Sequence, residues 1–144
     1  MRILVLPLSG LLAVGLVLGT AGCSSDSKAP PSSTTAAPED VLVSDAKVTA
    51  ALAALGQLIS TASSQAGTNA EATKATVDQA WNQWQAIEGR IKKNDTGAYL
   101  EFEDALSDMR IGADEKDAAK VKRGATAIAA LSATYLAQFP GGSS

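Results

Sequence analysis

The chain has 144 residues, of which 46% are apolar and 4% aromatic, with one cysteine, no histidine and a formal net charge of −3. This length allows one modest domain, since domains typically hold about 150 residues, and the single cysteine excludes a disulfide scaffold. The lack of histidine excludes a Ser-His-Asp triad, a Cys-His dyad and any His-ligated metal site, and the mildly acidic balance argues against nucleic-acid binding, which needs basic patches.

Residues 1–22 have the pattern of a secretory signal peptide. Residues 1–2 are a short positive start, residues 3–18 are an apolar run without charge, and residues 20–22 are small. A basic start, an apolar run and small residues before a cleavage site are typical of such a signal. The apolar run is also shorter than the ~20 residues that span a bilayer comfortably. We therefore predict a removable signal.

The only cysteine, Cys23, directly follows these small residues. This arrangement resembles the bacterial lipobox, in which the cysteine is lipidated and becomes the new N-terminus. The position three residues earlier holds Thr20, where the lipobox commonly has Leu. The resemblance implies a lipid anchor on Cys23 and a lipoprotein on the extracytoplasmic face of a membrane of the cell envelope. The alternative is an ordinary secreted protein with an unpaired thiol, which would be prone to oxidation.

Residues 24–40, SSDSKAPPSSTTAAPED, are rich in Ser, Thr, Ala and Pro and show no apolar periodicity. Such a segment cannot bury enough apolar surface to offset the entropy lost on ordering. We therefore predict that residues 23–40 are a lipidated cysteine followed by a disordered tether. Residues 141–144 are predicted to be a short disordered tail.

Residues 41–140 change to an amphipathic helical pattern. We place four helices at residues 44–66, 69–93, 96–111 and 115–139, with Gly112 ending the third and Asp114 capping the fourth. Helices of this length joined by short turns are typical of a bundle. The predicted fold class is all-α, an up-down-up-down four-helix bundle.

Apolar residues at steps of three and four give each helix a buried stripe. Gly56 lies inside the first helix, where we predict that it allows a close contact with a neighbouring helix. The predicted core residues are Val48, Leu52, Leu55, Ile59, Ala62, Val77, Ala80, Trp81, Trp84, Ile87, Ile91, Tyr99, Phe102, Leu106, Met109, Ala113, Val121, Gly124, Ile128, Leu131 and Tyr135.

Two glutamates flank the stripes of neighbouring helices. Glu88 follows Trp84 by four residues, and Glu103 follows Tyr99 by four. A short turn joins their helices, so we expect the two carboxylates within about one helical turn of each other in height. Facing carboxylates in a bundle can form a metal site, and oxygen ligands suit Fe(III), Ca²⁺, Mg²⁺ or Mn²⁺. The alternative is that both are rim residues paired with Lys or Arg, or with an indole N–H.

The stretch from Trp81 to Pro140 reads W-x-x-W-x-x-x-E, N-D, Y-x-x-F-E-D-A-L, a Gly-Ala-Asp turn and an Ala-rich helix ending Y-L-A-x-F-P. It resembles the extracytoplasmic helical segment of bacterial iron permeases of the oxidase-dependent type, and small lipoproteins that share this segment. The permease's membrane helices and Arg-Glu-x-x-Glu motifs are missing here, so the chain is not expected to transport iron itself. The resemblance implies a role in iron handling for Trp84, Glu88, Asp95, Tyr99 and Glu103.

We therefore predict a non-enzymatic, membrane-anchored accessory or binding module for metal uptake. Its ligands would be Glu88, Glu103 and Asp95, supported by Trp84 and Tyr99, and its cargo Fe(III) or another hard cation. Its partners would be the membrane and a permease or envelope protein. An enzyme is not predicted, because no glycosidase-type acid pair is visible and the many Ser and Thr residues lack a base. The alternative function is an envelope interaction lipoprotein with no ligand site.

Overall fold

The regular structure is entirely helical in residues 37–141, the part of the chain described by a computed structural model. The predicted signal peptide, Cys23, most of the predicted tether and residues 142–144 lie outside this part. The described residues contain no strand, which establishes the all-α class. Their elements are a 3₁₀ turn at Pro38–Asp40 and the helices α1 (Asp45–Gln65), α2 (Ala70–Gln85), α3 (Glu88–Asn94), α4 (Thr96–Asp114) and α5 (Ala118–Gln138).

Each long helix begins at a side chain that caps it. The Ser44 hydroxyl, the Asn69 amide oxygen and the carboxylates of Asp95 and Asp117 accept hydrogen bonds from backbone N–H groups of the first turn. These N–H groups have no partner inside the helix, so each cap contributes about 1 kcal/mol.

The predicted stripes form the core. All twenty-one predicted core residues are buried except Trp81, Tyr99 and Leu131, which are partly buried. Helix α1 packs against α2 and α5, and α4 packs against α2, α3 and α5. Gly124 lets α5 approach α4 closely, because a Cβ atom at this position would lie 2.8 Å from the carbonyl oxygen of Ala105. No helix within residues 37–141 has both the length and the apolar character needed to cross a membrane.

The predicted second helix is interrupted. Residues 69–93 were expected to form one helix, but a tight turn at residues 86–87 separates α2 from α3. At this turn the Ile87 N–H donates to the Trp84 carbonyl three residues earlier, at 2.9 Å. The stripe survives the interruption, since Trp84, Ile87 and Ile91 are all buried. The turn therefore changes the course of the backbone without turning the apolar face away from the core.

The predicted junction between the last two helices was wrong. Gly112 does not end α4, which continues to Asp114, and Asp117 rather than Asp114 caps α5. Gly112 serves close packing, because a Cβ there would lie 2.9 Å from the backbone nitrogen of Val121. The chain turns instead at Lys116, whose φ of 59° is in the left-handed region.

Gly56 also differs from its prediction. No heavy atom outside its own helix lies within 4 Å of the position where its Cβ would be, so no close helix contact requires a glycine there. Gly56 instead borders an open groove between α1 and α5, together with Ser60 and Ala129.

The folded part begins earlier than the predicted tether boundary at Asp40. Pro38–Asp40 form a helical turn that packs against α3. This turn reaches the neighbourhood of the two glutamates singled out in the sequence.

Candidate functional site

The turn at residues 86–87 places Glu88 at the start of α3, where its side chain is only 5% exposed. Glu103 is partly buried on α4. The single residue Asp95 joins α3 to α4, and the two helices pack side by side. As a result, the structure brings together the two glutamates that the sequence placed at similar heights.

The carboxyl groups of Glu88 and Glu103, called the carboxyl pair below, lie within hydrogen-bonding reach of each other. The indole N–H of Trp84 donates to Oε1 of Glu103. The Trp84 ring is fixed by stacking, with centroid distances of 4.9 Å to Phe102 and 6.1 Å to Tyr99. Aromatic packing therefore orients the indole donor, and the donor orients one member of the carboxyl pair.

Burial is the main reason that the pKa of Glu88 rises from its ordinary 4.5 to about 7. The hydrogen bond with Glu103 and the negative charges of Glu103 and Glu39 raise this pKa further, while the Trp84 N–H opposes them. Because the neighbouring carboxylate and burial both disfavour its charged form, the Glu88 carboxyl is partly protonated near neutral pH.

No compensating cation reaches the carboxyl pair from within the described residues. Neither Glu88 nor Glu103 takes part in any of the ion pairs formed by residues 37–141. The nearby Lys92 ammonium lies over the Tyr99 ring instead, 5.3 Å from its centroid. Burial and the surrounding carboxylates raise the pKa of Tyr99, so its phenol stays protonated at neutral pH.

The alternative interpretation, in which both glutamates are rim residues with Lys, Arg or indole partners, agrees with the structure in one respect and disagrees in two. Glu103 does accept an indole N–H, as that interpretation anticipated. Glu88, however, is buried rather than at the rim, and neither residue pairs with Lys or Arg in the described part of the chain. Within the described residues, the carboxyl pair therefore has a hydrogen-bond donor in the Trp84 indole but no ion-pair partner.

Asp95, the third predicted ligand, lies elsewhere. Its carboxylate accepts the Ala98 N–H at 3.0 Å as the cap of α4. It also borders a separate cavity of about 260 Å³ that Leu131 and Tyr135 line. Asp95 and Glu103 are eight residues apart on one helix, which corresponds to about 12 Å. The structure does not bring Asp95 to the carboxyl pair.

Glu39 is a neighbour of the carboxyl pair that the sequence did not predict. Its position in the sequence predicted a tether residue, but its charge raises the pKa of Glu88. The backbone of Glu39 and Val41 crosses α3 at Gly89, where a Cβ would lie 2.7 Å and 2.5 Å from their carbonyl oxygens. The Glu88-Gly89 dipeptide was the available signal, since glycine inside a helix often marks a close backbone approach.

The carboxyl pair can hold a proton or two coordination positions of a cation. No three acidic or cysteine side chains within residues 37–141 converge into a complete metal site. A hard cation bound here would keep water or chelator oxygens at its remaining positions, as Mg²⁺ does at sites with one or two carboxylates.

No protein-family model matches the chain, and neither a curated protein nor a solved structure matches it. The resemblance to the iron-permease segment therefore rests on the sequence motifs alone.

Proposed function

We propose that this chain is a non-enzymatic binding module that takes up a hard cation at the carboxyl pair in exchange for the proton held there. One observation carries the proposal: Glu88 is 5% exposed, touches Glu103, and has no Lys or Arg partner among residues 37–141. Buried like charges require neutralisation, and either a proton or a metal cation supplies it.

The donor set favours a cation that arrives with ligands of its own. Two carboxylates provide hard oxygen atoms, which suit Fe(III), Ca²⁺ and Mn²⁺. Fe(III) bound to a small polycarboxylate such as citrate would bring the remaining oxygen ligands. The iron-permease resemblance, which includes Glu88 and Glu103, makes this the preferred cargo.

For the architecture, we propose that α2 and α3 act as one interrupted rod. The five helices then form four antiparallel rods in up-down-up-down order. This arrangement is supported by the short connections, of which the longest between consecutive helices is residues 66–69. It is also supported by the packing of α1 on both α2 and α5. Antiparallel neighbours are the usual result of short connections in a bundle.

For the location, the proposal is a lipoprotein anchored through Cys23 on the extracytoplasmic face of a membrane. A cation module in this position would hand its cargo to a permease or another envelope protein. Growth with radiolabelled palmitate should label the wild-type product and leave the Cys23→Ala variant unlabelled and released from membranes. Label-free wild-type protein, or a Cys23→Ala variant that stays in the membrane, contradicts the anchor.

Calorimetry on the full-length chain in detergent tests the cation site. Titrations with Fe(III)-citrate, Ca²⁺ and Mn²⁺ at pH 7.5 should give saturable heat for at least one cation. Repeating them in buffers of different ionisation enthalpy should show up to one proton released per cation bound. Binding should weaken at pH 5.5, because the proton competes for the same carboxylates.

The matched variants decide where the cation binds. Glu88→Gln combined with Glu103→Gln should abolish the heat, whereas Glu101→Gln, an exposed change on the same helix as Glu103, should leave it intact. If none of the three cations gives heat, or if the double variant binds as well as wild type, the cation proposal is overturned.

The second candidate is an envelope interaction protein without a ligand site. The open groove beside Gly56 favours it, since small side chains such as Ser60 and Ala129 would let a partner's backbone approach. A photo-crosslinking residue at position 60 should then give one defined adduct in membranes. The adduct should persist in the Glu88→Gln, Glu103→Gln double variant, because this function does not use the carboxyl pair.

A further inference from the structure

The cavity beside Asp95, called the α4–α5 cavity below, lies where the first turns of α4 meet the last turns of α5. Residues between 95 and 101 form one wall, and residues between 131 and 138 form the other. Neither member of the carboxyl pair lines it. Its volume of about 260 Å³ is several times the ~30 Å³ that one water molecule takes up in the liquid. The cavity is therefore large enough for a small organic molecule.

The charges around the α4–α5 cavity favour a cation. The carboxylates of Asp95 and Glu101 line it, and neither takes part in any ion pair formed within residues 37–141. Of the described residues, no Lys or Arg lines the cavity. The last turn of α5 carries no basic side chain, so no cation on this helix offsets the partial negative charge of its terminal carbonyl groups. The positive end of the α4 dipole lies at the other wall, where the Asp95 cap offsets it.

The two carboxylates are set apart along the cavity. Asp95 and Glu101 are six residues apart at the start of α4, which corresponds to about 9 Å along the helix axis. The α5 wall adds apolar surface from Leu131 and Tyr135, and a hydroxyl group from Thr134. A ligand that matches both walls carries a positive group at each end and an apolar middle.

A bare metal ion does not match this arrangement. No three acidic or cysteine side chains of residues 37–141 converge into a metal site, here or elsewhere in that range. An ammonium group suits it better, because it carries three hydrogen-bond donors and no acceptor, and carboxylate oxygens are acceptors only. Asp95 has an oxygen for such a donor, since only its Oδ1 atom accepts a hydrogen bond described for the cap.

We propose that the α4–α5 cavity binds an aliphatic diamine. One ammonium group pairs with Asp95, the other pairs with Glu101, and the methylene chain between them lies against Leu131 and Tyr135. The chain makes apolar contacts that an inorganic cation cannot make. The site uses neither Glu88 nor Glu103, so it is independent of cation uptake at the carboxyl pair.

Titration with cadaverine, a linear diamine, tests the site on the ¹⁵N-labelled full-length chain in a neutral detergent. The amide signals of Gly97 and Ala98, which line the cavity, should shift and reach saturation. Pentylamine has the same carbon chain with a single ammonium group and should bind about fivefold more weakly, the upper end for a partly exposed ion pair. The uncharged 1,5-pentanediol should give no saturable shift.

Four variants separate the charges from the cavity itself. Asp95→Asn keeps a capping side chain and removes the charge, and Glu101→Gln removes the other charge, so each should weaken cadaverine binding about fivefold. Thr134→Phe should abolish binding, because the ring fills the cavity without changing a charge. Thr126→Phe makes the same change at an exposed threonine of α5 outside the cavity and should bind like wild type. Circular dichroism checks that the helices of each variant remain formed.

The inference is wrong if cadaverine gives no saturable shift, or if 1,5-pentanediol binds as tightly. Unchanged affinity in Asp95→Asn, Glu101→Gln or Thr134→Phe would overturn it as well. The Glu88→Gln, Glu103→Gln double variant should bind cadaverine like wild type, and lost binding there would move the diamine to the carboxyl pair. A chain that binds cadaverine but none of the tested metal cations would refute the cation proposal and leave the diamine site intact.

Discussion

At the scale of single residues, Glu88 makes the folded chain bind a proton more tightly than the unfolded chain does. Its pKa is 4.5 ordinarily and about 7 in the fold, chiefly because of burial. A raised pKa in the folded state contributes stability that is fully present below pH 4.5 and is lost as the pH rises through 7. Glu88 therefore makes the protein less stable in mildly alkaline than in mildly acidic solution.

The first prediction concerns Glu88→Gln, which keeps the shape of the side chain and removes its charge. Wild type should lose about 2 kcal/mol of unfolding free energy between pH 5 and pH 8, since each unit of pKa shift is worth about 1.4 kcal/mol. The variant should be more stable than wild type by a similar amount at pH 8 and nearly equal to it at pH 5. Urea unfolding followed by circular dichroism at the two pH values measures both.

Glu101→Gln is the matched control for this prediction, because Glu101 is exposed on α4. It should change the unfolding free energy by less than about 0.5 kcal/mol at either pH. A Glu88→Gln protein that is less stable than wild type at pH 8 would mean that the Glu88 carboxylate forms a favourable interaction there.

The residues of the carboxyl pair could be predicted from their spacing, but the burial of Glu88 and its raised pKa could not. Four-residue steps from Trp84 and Tyr99 put both glutamates beside the core, and the short turn put them at similar heights. Glu88 is buried at the start of α3, directly after the turn at residues 86–87, which the spacing did not predict. The position of Glu39 could not be predicted either, because no local sequence pattern connects residues 39–41 to Gly89.

At the scale of helices, the apolar periodicity was enough to predict the buried stripes but not to predict where a helix is interrupted. The residues around 86–87 include no proline, and the apolar residues continue through them at helical spacing. The helix breaks there because of tertiary packing, which sequence spacing does not express. At Gly112 the sequence predicted a helix end where the helix continues. Glycine occurs both at helix ends and at close helix contacts, and only the position of Val121 distinguishes the two.

The second prediction compares two glycines inside helices. Gly56→Ala should stabilise the protein by about 1 kcal/mol, because alanine favours the helix and its methyl group meets no atom within 4 Å. Gly124→Ala should destabilise it by about 2 kcal/mol or more, because the methyl group would collide with Met109 and the Ala105 carbonyl. Thermal unfolding of both variants gives the two signs. A destabilising Gly56→Ala would show that the groove beside it closes in solution.

At the scale of the whole molecule, one polar network ties three helices together at the end of the bundle away from the α4–α5 junction. The Arg90 guanidinium donates two hydrogen bonds of 2.8 Å to the Asp45 carboxylate. The Asn94 amide donates to Asp45 at 3.0 Å and to the Tyr135 hydroxyl at 2.9 Å. The network thus links α1, α3 and α5. Sequence patterns missed it because its members are separated by 41 to 49 residues.

The third prediction follows from the charge of Asp45 in this network. Hydrogen bonds from Arg90 and then Asn94 hold the pKa of Asp45 at about 2, below its ordinary 3.8. A lowered pKa contributes stability that is present above pH 3.8 and is lost as the pH falls through 2. Because the side chain is 36% exposed, solvent screening reduces this contribution to about 1 kcal/mol. Asp45→Asn should therefore cost about 1 kcal/mol at pH 6 and almost nothing at pH 2.

Asp78→Asn is the control for the acid side, because Asp78 forms only a 3.8 Å surface pair with Lys74. It should have little effect on the unfolding free energy at either pH.

Glu88 lowers the stability of the fold as the pH rises, whereas Asp45 lowers it as the pH falls. Helix α3 carries both Glu88 and Arg90, which pairs with Asp45. Wild type should accordingly be most stable near pH 4 to 5, and the double variant Glu88→Gln, Asp45→Asn should have a flatter profile on both sides. Chemical unfolding between pH 2 and pH 8 tests this, and an optimum above pH 7 would contradict the assignment of Glu88 as the group that loses stability on ionisation.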